Sequence, residues 1–169
     1  MSQKCGHQIC RKQITKVAGV LGAKLKNGNA VLLGYNPDTD ISSLCVGHVK
    51  EEELGCLYKA LCRHLFEKHS IYLEEEQVDK LLLRTFTFTD LKASDGQQIQ
   101  VFVMNLRGLK ISDIRERIKQ RLTQNLTITD YPIASEVEWF FLKDFKPASQ
   151  LQKVGIIDAL ARDILENLK

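Results

Sequence analysis

The segment Ala60-Leu-Cys-Arg-His-Leu-Phe-Glu-Lys-His-Ser-Ile71 decides the fold of this 169-residue chain. Leucines recur at steps of three, four and four residues in and before it, at Leu54, Leu57, Leu61 and Leu65. This spacing places apolar side chains on one face of an α-helix. Three glutamates at 51–53 come before the stripe, where the helix dipole favours negative charge. The pattern therefore predicts a helix over roughly residues 53–69 that buries its leucine face.

Predicted strands flank this helix on both sides. Before it, two apolar runs around Asn27-Gly28 predict a β-hairpin, because both residues tolerate the positive φ of a tight turn. Further strands are expected at 41–49, 81–89, from 99 onward and at 139–142. Residues 74–76 are expected to be a linker, Ser112 to cap a second helix, and a last helix to follow Pro147. The mixed order of strands and helices favours an α/β sandwich.

Composition bounds the class of protein. With 44% hydrophobic and 27% charged residues, the chain has the mix of a globular protein. The net charge of +3 comes from 24 basic and 21 acidic residues, so there is no strong nucleic-acid signal. The longest apolar run, residues 17–23, is far short of the roughly 20 residues that a membrane span needs. We expect a polar N-terminal arm at 1–13 and a single domain at 14–169.

The N-terminal residues and the spacing of the cysteines indicate the cellular compartment. The first residues contain no apolar core of signal-peptide type. Five cysteines at irregular spacing agree with free thiols in a reducing environment. We therefore expect a cytoplasmic protein whose stability does not depend on a disulfide. The stretch Cys5-Gly-His-Gln-Ile-Cys10 has two cysteines and a histidine, but it has no second pair of zinc ligands at the usual spacing.

Four ordered pieces of the sequence resemble the Nudix hydrolase superfamily. Its box runs Gly, five residues, Glu, seven residues, then Arg-Glu-apolar-x-Glu-Glu-x-Gly-apolar, and the matching positions here are Arg63, Leu65, Glu67 and Ile71. Residues 16–34 resemble the family's opening hairpin, 46–49 the loop that begins the box, and 136–142 a late strand. The resemblance implies a Nudix-like α/β/α sandwich with a mixed sheet.

The sequence departs from the box at its acidic positions. His64 stands where the family has its first glutamate of this half, and Lys68 where it has the last. Ser70 replaces the glycine. In the family these glutamates hold Mg²⁺ or Mn²⁺, which neutralises a polyanionic nucleoside diphosphate derivative and positions water. Only Glu67 survives on this face, and Lys68 adds a positive charge where a cation would bind.

The loop before the helix is two residues longer than the family pattern. Counted back from Arg63, Gly55 occupies the position of the upstream glutamate, and the loop begins at Gly47. If the longer loop folds inward, Glu52 and Glu53 are candidate metal ligands beside Glu67. The alternative is that the acidic run at 51–53 is a solvated helix start.

Other candidate site residues follow from the resemblance. Late glutamates serve as metal ligand or base in some relatives, which makes Glu136 and Glu138 candidates beside Glu67 and Arg63. For contacts to a bound ligand the candidates are His48, His64 and Lys68. Each has a structural alternative: Arg63 and Glu67 form a simple i,i+4 ion pair, and His64 and His69 are surface or packing residues. The basic residues at 115, 117, 119 and 121 spread around their helix and favour a solvated face over a phosphate patch.

Two functions remain open from the sequence. The first is a Nudix-like protein that binds a nucleotide, a phosphorylated ligand or a partner protein with weak or lost hydrolase activity. The second is a working metal-dependent pyrophosphohydrolase that uses Glu67 with loop glutamates. Mg²⁺ or Mn²⁺ is the expected cofactor if the site is active, and none otherwise. The expected partner is a nucleotide-like small molecule, without a membrane, and a homodimer is left open.

The apolar stripes also predict a core. Its expected members are Leu57, Leu61, Leu65, Phe86, Val101, Trp139 and Leu160.

Overall fold

The computed structural model describes residues 14–90, 97–106, 108–124, 134–144, 151–152 and 156–168. The expected arm at 1–13, with Cys5 and Cys10, lies outside these residues. Eight strands are described: β1 (Ile14–Leu25), β2 (Gly28–Asn36), β3 (Ile41–Ser43), β4 (Cys45–His48), β5 (Leu82–Asp90), β6 (Gln97–Asn105), β7 (Glu136–Phe141) and β8 (Leu151–Gln152). The α-helices are α1 (Leu57–His69), α2 (Glu75–Leu81), α3 (Ile111–Thr123) and α4 (Arg162–Glu166), the last preceded by a π-helical turn, Ile157–Ala161.

The strands form one mixed sheet. Its order is β5-β6-β1-β2-β3-β8, with β4 also paired to β1 and β7 to β2. The pairs β1–β6 and β3–β8 are parallel, and the other pairs are antiparallel. Strand β1 therefore contacts β2 through its C-terminal half and β4 through its N-terminal half.

Helices cover both faces of the sheet. On one face, Leu57, Leu61 and Leu65 of α1 join a buried cluster with Phe102 of β6 and Val137 of β7. On the other face, the C-terminal helical segment packs on strand residues, and its buried members are Ile156, Ile157, Ala161, Leu165 and Leu168. This arrangement confirms the predicted α/β/α sandwich with a mixed sheet.

The predicted hairpin is present, but Asn27-Gly28 is not its turn: the connection lies one residue earlier, and Asn27 does not have a positive φ. Leu25 pairs with Gly28, so Lys26 and Asn27 form the two-residue connection between β1 and β2. Gly28 has a φ of +132°, a backbone conformation that other residues rarely adopt. The expected strand at 41–49 is instead two short strands, β3 and β4.

Several predicted helix boundaries are wrong. Helix α1 begins at Leu57 rather than near residue 53, because a 3₁₀ turn at Glu51–Glu53 and a turn at residues 54–55 come first. The expected linker at 74–76 is the start of α2, with Glu74 as its N-cap residue. The N-cap residue of α3 is Lys110, so Ser112 lies inside the helix and does not cap it.

Most of the predicted core is buried. Leu57, Leu61, Leu65 and Val101 are fully buried, and Phe86 and Trp139 are partly buried. Leu160 is 43% exposed, so its prediction is wrong. The buried stripe runs through Ile157, Ala161, Leu165 and Leu168 at helical spacing, and Leu160 lies one residue outside it.

The described cysteines include two free thiols and one that forms a disulfide. Cys45 and Cys62 are free thiols, as expected. Cys56 is disulfide-bonded, which corrects the expectation that the cysteines are free. Within the described residues, each helix is too short or too polar to cross a membrane.

Candidate functional site

A partly buried ion pair holds the loop before α1 against the helix. Arg63 donates to both carboxylate oxygens of Glu53, with Nε–Oε2 and Nη2–Oε1 distances of 2.8 Å. The Lys50 backbone N–H donates to the same carboxylate at 2.9 Å. Burial opposes ionisation of Glu53, but these hydrogen bonds outweigh it and hold the pKa of the carboxyl below its usual range. The loop is therefore fixed by a charged pair inside the fold.

The pair between Glu53 and Arg63 shows which residue takes the place of the upstream glutamate of the Nudix box. Gly55 lies in the turn before α1 with nothing near its Cα where a Cβ would point. Glu53 supplies the carboxylate that pairs with Arg63 instead. The expectation that all of 51–53 is solvated is wrong for Glu53, which is 6% exposed, whereas Glu52 is exposed. Counting forward from Gly47, rather than back from Arg63, finds Glu53, because five residues separate Gly47 from Glu53 as in the box.

Arg63 also connects the helix to β4. Its Nη2 donates to the carbonyl oxygen of His48 at 3.0 Å, and its Nη1 approaches Glu67 Oε2 at 3.4 Å. The i,i+4 pair expected between Arg63 and Glu67 is thus confirmed as a contact. Glu67 keeps a quarter of its side-chain surface exposed, so its carboxylate faces the rim of the site.

His64 fills the space between α1 and β4. Its ring is 1% exposed, and Nε2 donates to the His48 carbonyl oxygen at 2.7 Å. A Cβ built on Gly47 would overlap the ring, so glycine is needed there for the close approach. Burial, with the charges of Arg63 and Lys68, lowers the pKa of His64 to about 4. The imidazole is therefore neutral at pH 7 and acts as a hydrogen-bond donor to the strand.

Lys68 makes a second bond of the same kind. Its Nζ donates to the carbonyl oxygen of Val46 in β4. Burial lowers the pKa of Lys68, and the nearby charges of Lys16 and Arg63 lower it further, while Glu67 opposes them. Two of the three helix positions that are acidic in the Nudix box thus carry nitrogen donors bonded to backbone carbonyls of β4.

His69 packs in the interior next to this group. It is 4% exposed, and its ring lies against Gly34 so closely that a Cβ there would overlap it. Burial lowers the pKa of His69 to about 4, and the charge of Lys68 adds to the effect. Its Nδ1 meets no hydrogen-bond partner among the described residues. His64 and His69 are therefore packing residues of the interior rather than surface residues, the two structural alternatives that the sequence left open.

Two arginines of α3 cap the C-terminus of α1. Ser70 ends the helix in the left-handed conformation, with φ 58° and ψ 30°. Arg121 donates to Ser70 Oγ at 2.8 Å, to Phe66 O and to Glu67 O, and its guanidinium lies 4.5 Å above the Phe66 ring. Arg117 donates to Ser70 O at 2.7 Å. The bond to Glu67 O serves a carbonyl of the last turn, where a helix leaves such groups without an intrahelical partner. Phe66 O also accepts from the Ser70 backbone N–H at 3.0 Å.

The expectation of a solvated basic face on α3 is wrong for these two arginines. Arg121 is 6% exposed and Arg117 is partly buried. The sequence contains a signal for Arg121, because it continues the apolar stripe of Ile114 and Ile118 at i+7 and i+3. A charged residue in line with a buried stripe is expected to reach a partner across the interface.

The similarity of this chain to known proteins lies in its fold. Neither protein-family models nor curated protein sequences match the chain. The solved NUDIX domain of Shewanella oneidensis NrtR, complexed with ADP ribose, is 19% identical, covers 90% of this chain and 88% of its own, and has a TM-score of 0.52. A NUDIX family hydrolase from Clostridium perfringens is 14% identical over 91% of this chain and 99% of its own, also with a TM-score of 0.52. The chain has the Nudix fold. At these identities the likeness concerns architecture alone.

The two late glutamates have other neighbours than Glu67 among the contacts of the described residues. Glu136 pairs with Arg115 of α3 at 2.8 Å. Glu138 is opposite Leu33 in the β2–β7 pairing, and Leu33 belongs to the core on the far side of the sheet from α1. Residues directly opposite in an antiparallel pair share a face, so Glu138 faces away from Glu67.

The residues that the Nudix fold brings together do not fit a divalent metal ion. Mg²⁺ prefers several hard oxygen ligands in octahedral geometry. Here Glu53 is bound by Arg63 through both oxygens, and Lys68 places an ammonium beside Glu67. The described residues contain no group of three or more His, Cys, Asp or Glu side chains arranged to hold a metal ion. The candidate site therefore consists of two backbone carbonyls of β4, at Val46 and His48, and of five side chains: Glu53, Arg63, His64, Glu67 and Lys68.

Proposed function

We propose that this Nudix-fold chain binds a nucleotide or another phosphorylated ligand with weak or lost hydrolase activity. One observation carries the proposal: His64 and Lys68 occupy box positions that are acidic in the family, and both donate hydrogen bonds to carbonyls of β4. Side chains committed as donors to the backbone fasten the helix to the strand. They do not offer the oxygen lone pairs that Mg²⁺ needs.

The electrostatic cost supports the same proposal. Replacing two carboxylates by a neutral imidazole and an ammonium removes attraction for a divalent ion and adds repulsion. Charge-pair energies at partly buried sites make this change worth several kcal/mol, as an order of magnitude. Binding of a polyanionic ligand is not weakened in this way, because the added charge has the opposite sign to phosphate.

The class of ligand to test first comes from a structural neighbour. The NUDIX domain of NrtR is described in complex with ADP ribose. ADP-ribose combines a nucleoside, a pyrophosphate and a second sugar, so it presents the chemical groups that this proposal names. A cytoplasmic location is part of the proposal, although the disulfide at Cys56 removes one argument for it.

A second candidate is an active pyrophosphohydrolase that uses Mg²⁺ or Mn²⁺. The observation that favours it is the position of Glu53 and Glu67, whose carboxylates both contact Arg63 and so lie near one another. Glu67 would then be the central ligand, with Glu52 and Glu53 of the loop as further acidic groups.

Titration calorimetry with ADP-ribose, together with chromatography of the mixture after incubation in Mg²⁺ or Mn²⁺, separates the two. We expect saturable binding and intact ADP-ribose. Cleavage at ordinary enzyme rates that is lost in Glu67→Gln but kept in Glu76→Gln, an exposed control, would establish the second candidate. Absence of both binding and cleavage would contradict both functions for this ligand class.

A further inference from the structure

The disulfide of Cys56 narrows its own partner by elimination. The chain has five cysteines, and the structure describes three of them. Cys45 and Cys62 are free thiols, whereas Cys56 is disulfide-bonded. The structure consists of one chain, so the bond joins two cysteines of the same molecule. Two cysteines remain for the second sulfur, and both lie outside the described residues: Cys5 and Cys10.

The N-terminal segment, residues 1–13, joins the fold close to the start of α1. Strand β1 begins at Ile14, and the carbonyl oxygen of the next residue accepts from the Val49 backbone N–H at 3.0 Å. Seven residues lead from Val49 to Cys56, and a 3₁₀ turn shortens their path. Nine residues lead from Cys5 to Ile14, and such a stretch spans about 30 Å when it is extended. Cys56 is therefore within reach of this segment.

A groove between α1 and α2, the α1–α2 groove, lies beside Cys56. Its volume is about 440 Å³, and its lining consists of Lys59, Cys62 and residues 72–76. The lining has three glutamates and one lysine, so the net charge of its side chains is −2. Glu75 connects the groove with the disulfide, because its Oε2 lies 3.7 Å from Cys56 Sγ. A chain bonded to Cys56 therefore starts at the wall of this groove.

The N-terminal segment carries the opposite charge. It has no acidic residue and three basic ones, Lys4, Arg11 and Lys12. We propose that residues 1–13 bind along the α1–α2 groove and are held there by a disulfide from one of their two cysteines to Cys56. Charge pairs at a surface are weak, but the covalent bond gives the segment a high effective concentration, so weak pairs suffice. The inference concerns this groove and does not depend on the proposed nucleotide binding.

Peptide mapping without reduction tests the bond. The unfolded chain is treated with N-ethylmaleimide in mildly acidic buffer, where thiol–disulfide exchange is slow, and is then digested for mass spectrometry. We expect a cross-linked pair of peptides that joins Cys56 to Cys5 or Cys10, and N-ethylmaleimide on Cys45 and Cys62. The intact mass of the unreduced chain should be that of a monomer. An alkylated Cys56, or a bond from it to any other cysteine or to a second chain, overturns the inference.

Limited trypsin digestion tests the binding of the segment to the groove. Cleavage after Arg11 and Lys12 is followed by intact mass after the reaction is stopped and the sample reduced. Dithiothreitol reduces the disulfide to two thiols and is itself oxidised to a cyclic disulfide. We expect cleavage in the untreated chain to be at least about tenfold slower than in the chain treated with dithiothreitol before digestion.

A matched pair of variants tests the contribution of charge. Glu75→Gln should raise the cleavage rate of the disulfide-bonded chain about threefold, because the groove loses one negative charge. Glu116→Gln changes an exposed glutamate of α3 and should leave the rate unchanged. Equal rates with and without dithiothreitol, or equal rates in the two variants, would mean that the segment is tethered but does not bind the groove, and would overturn the inference.

Discussion

Gly47 and the imidazole of His64 are in direct contact across the interface between β4 and α1. A Cβ built on Gly47 would overlap Cε1 and both ring nitrogens, and the same ring donates to the next residue's carbonyl oxygen, His48 O, at 2.7 Å. The ring therefore fills the space between strand and helix and bonds to the strand. A flexible, solvated carboxylate at position 64 would not pack in this way.

This contact predicts a difference between two glycine variants. Gly47→Ala should lower the free energy of unfolding by about 1 to 3 kcal/mol, because the new methyl group overpacks a fully buried ring. Gly55→Ala is the control: nothing lies within 4 Å of its built Cβ, so we expect a change of less than about 1 kcal/mol. Urea denaturation measures both. Equal stability of the two variants would show that the His64 ring is not packed against Gly47.

Arg121 is expected to contribute to stability although it is charged and buried. Arg121→Met removes donors from Phe66 O, Glu67 O and Ser70 Oγ and should cost about 1 to 3 kcal/mol. Lys119→Met changes an exposed residue of the same helix and should leave stability within about 0.5 kcal/mol. A loss in Lys119→Met as large as that in Arg121→Met would contradict the capping role.

The buried histidines predict an acid-sensitive fold. The pKa of both His64 and His69 is lowered to about 4 in the folded chain. Below about pH 6.5 the unfolded chain binds protons that the folded chain does not, so the free energy of unfolding decreases as the pH is lowered. This decrease should end near pH 4, where the two histidines also become protonated in the folded chain. Within this window each histidine contributes a slope of up to about 1.4 kcal/mol per pH unit.

Denaturation at several pH values, repeated for two variants, checks this prediction. His69→Gln should reduce the slope of stability against pH between pH 6.5 and pH 4. His64→Gln should reduce the slope as well, because burial lowers the pKa of His64 in the same way. If stability does not change over this range in the unmodified chain, the two imidazoles are not buried in neutral form.

Restoring acidic residues should create affinity for a metal ion. His64→Glu combined with Lys68→Glu puts two carboxylates beside Glu67, and their repulsion should lower the melting temperature without metal. Mg²⁺ should then raise it by mass action. The control is Lys59→Glu combined with Gln120→Glu, which makes the same change in charge at exposed positions. A shift with Mg²⁺ of equal size in both double variants would mean that the effect is not specific to this face.

Local sequence patterns predicted the helices and strands. The candidate site, by contrast, is formed by contacts between residues that are far apart in the sequence. The leucine spacing of α1 and the Asn27-Gly28 signal depend on neighbours in sequence, so both elements were predictable. The start of α1 was missed because Gly55 interrupts a run that is otherwise helical. Leu160 was missed because the last helix has two adjacent apolar stripes, and the buried one runs through Ala161 and Leu165 instead.

The polar contacts of the site could not be predicted in this way. The bonds from His64 and Lys68 to β4 join residues 16 and 22 positions apart, and those from Arg121 to the end of α1 join residues more than 50 apart. Sequence reasoning identified the unusual residues at these positions from the family resemblance. It could not show that the side chains turn toward backbone carbonyls, because no local period encodes that contact.

The central claim is that the face of α1 with His64, Glu67 and Lys68 does not hold a divalent cation. The most direct measurement is calorimetric titration of the unmodified chain with Mg²⁺, alone and in the presence of ADP-ribose, with heats of Mg²⁺ binding to ADP-ribose itself subtracted. The account predicts no saturable heat from Mg²⁺ in either titration. Stoichiometric binding of Mg²⁺ that Glu67→Gln abolishes would contradict it.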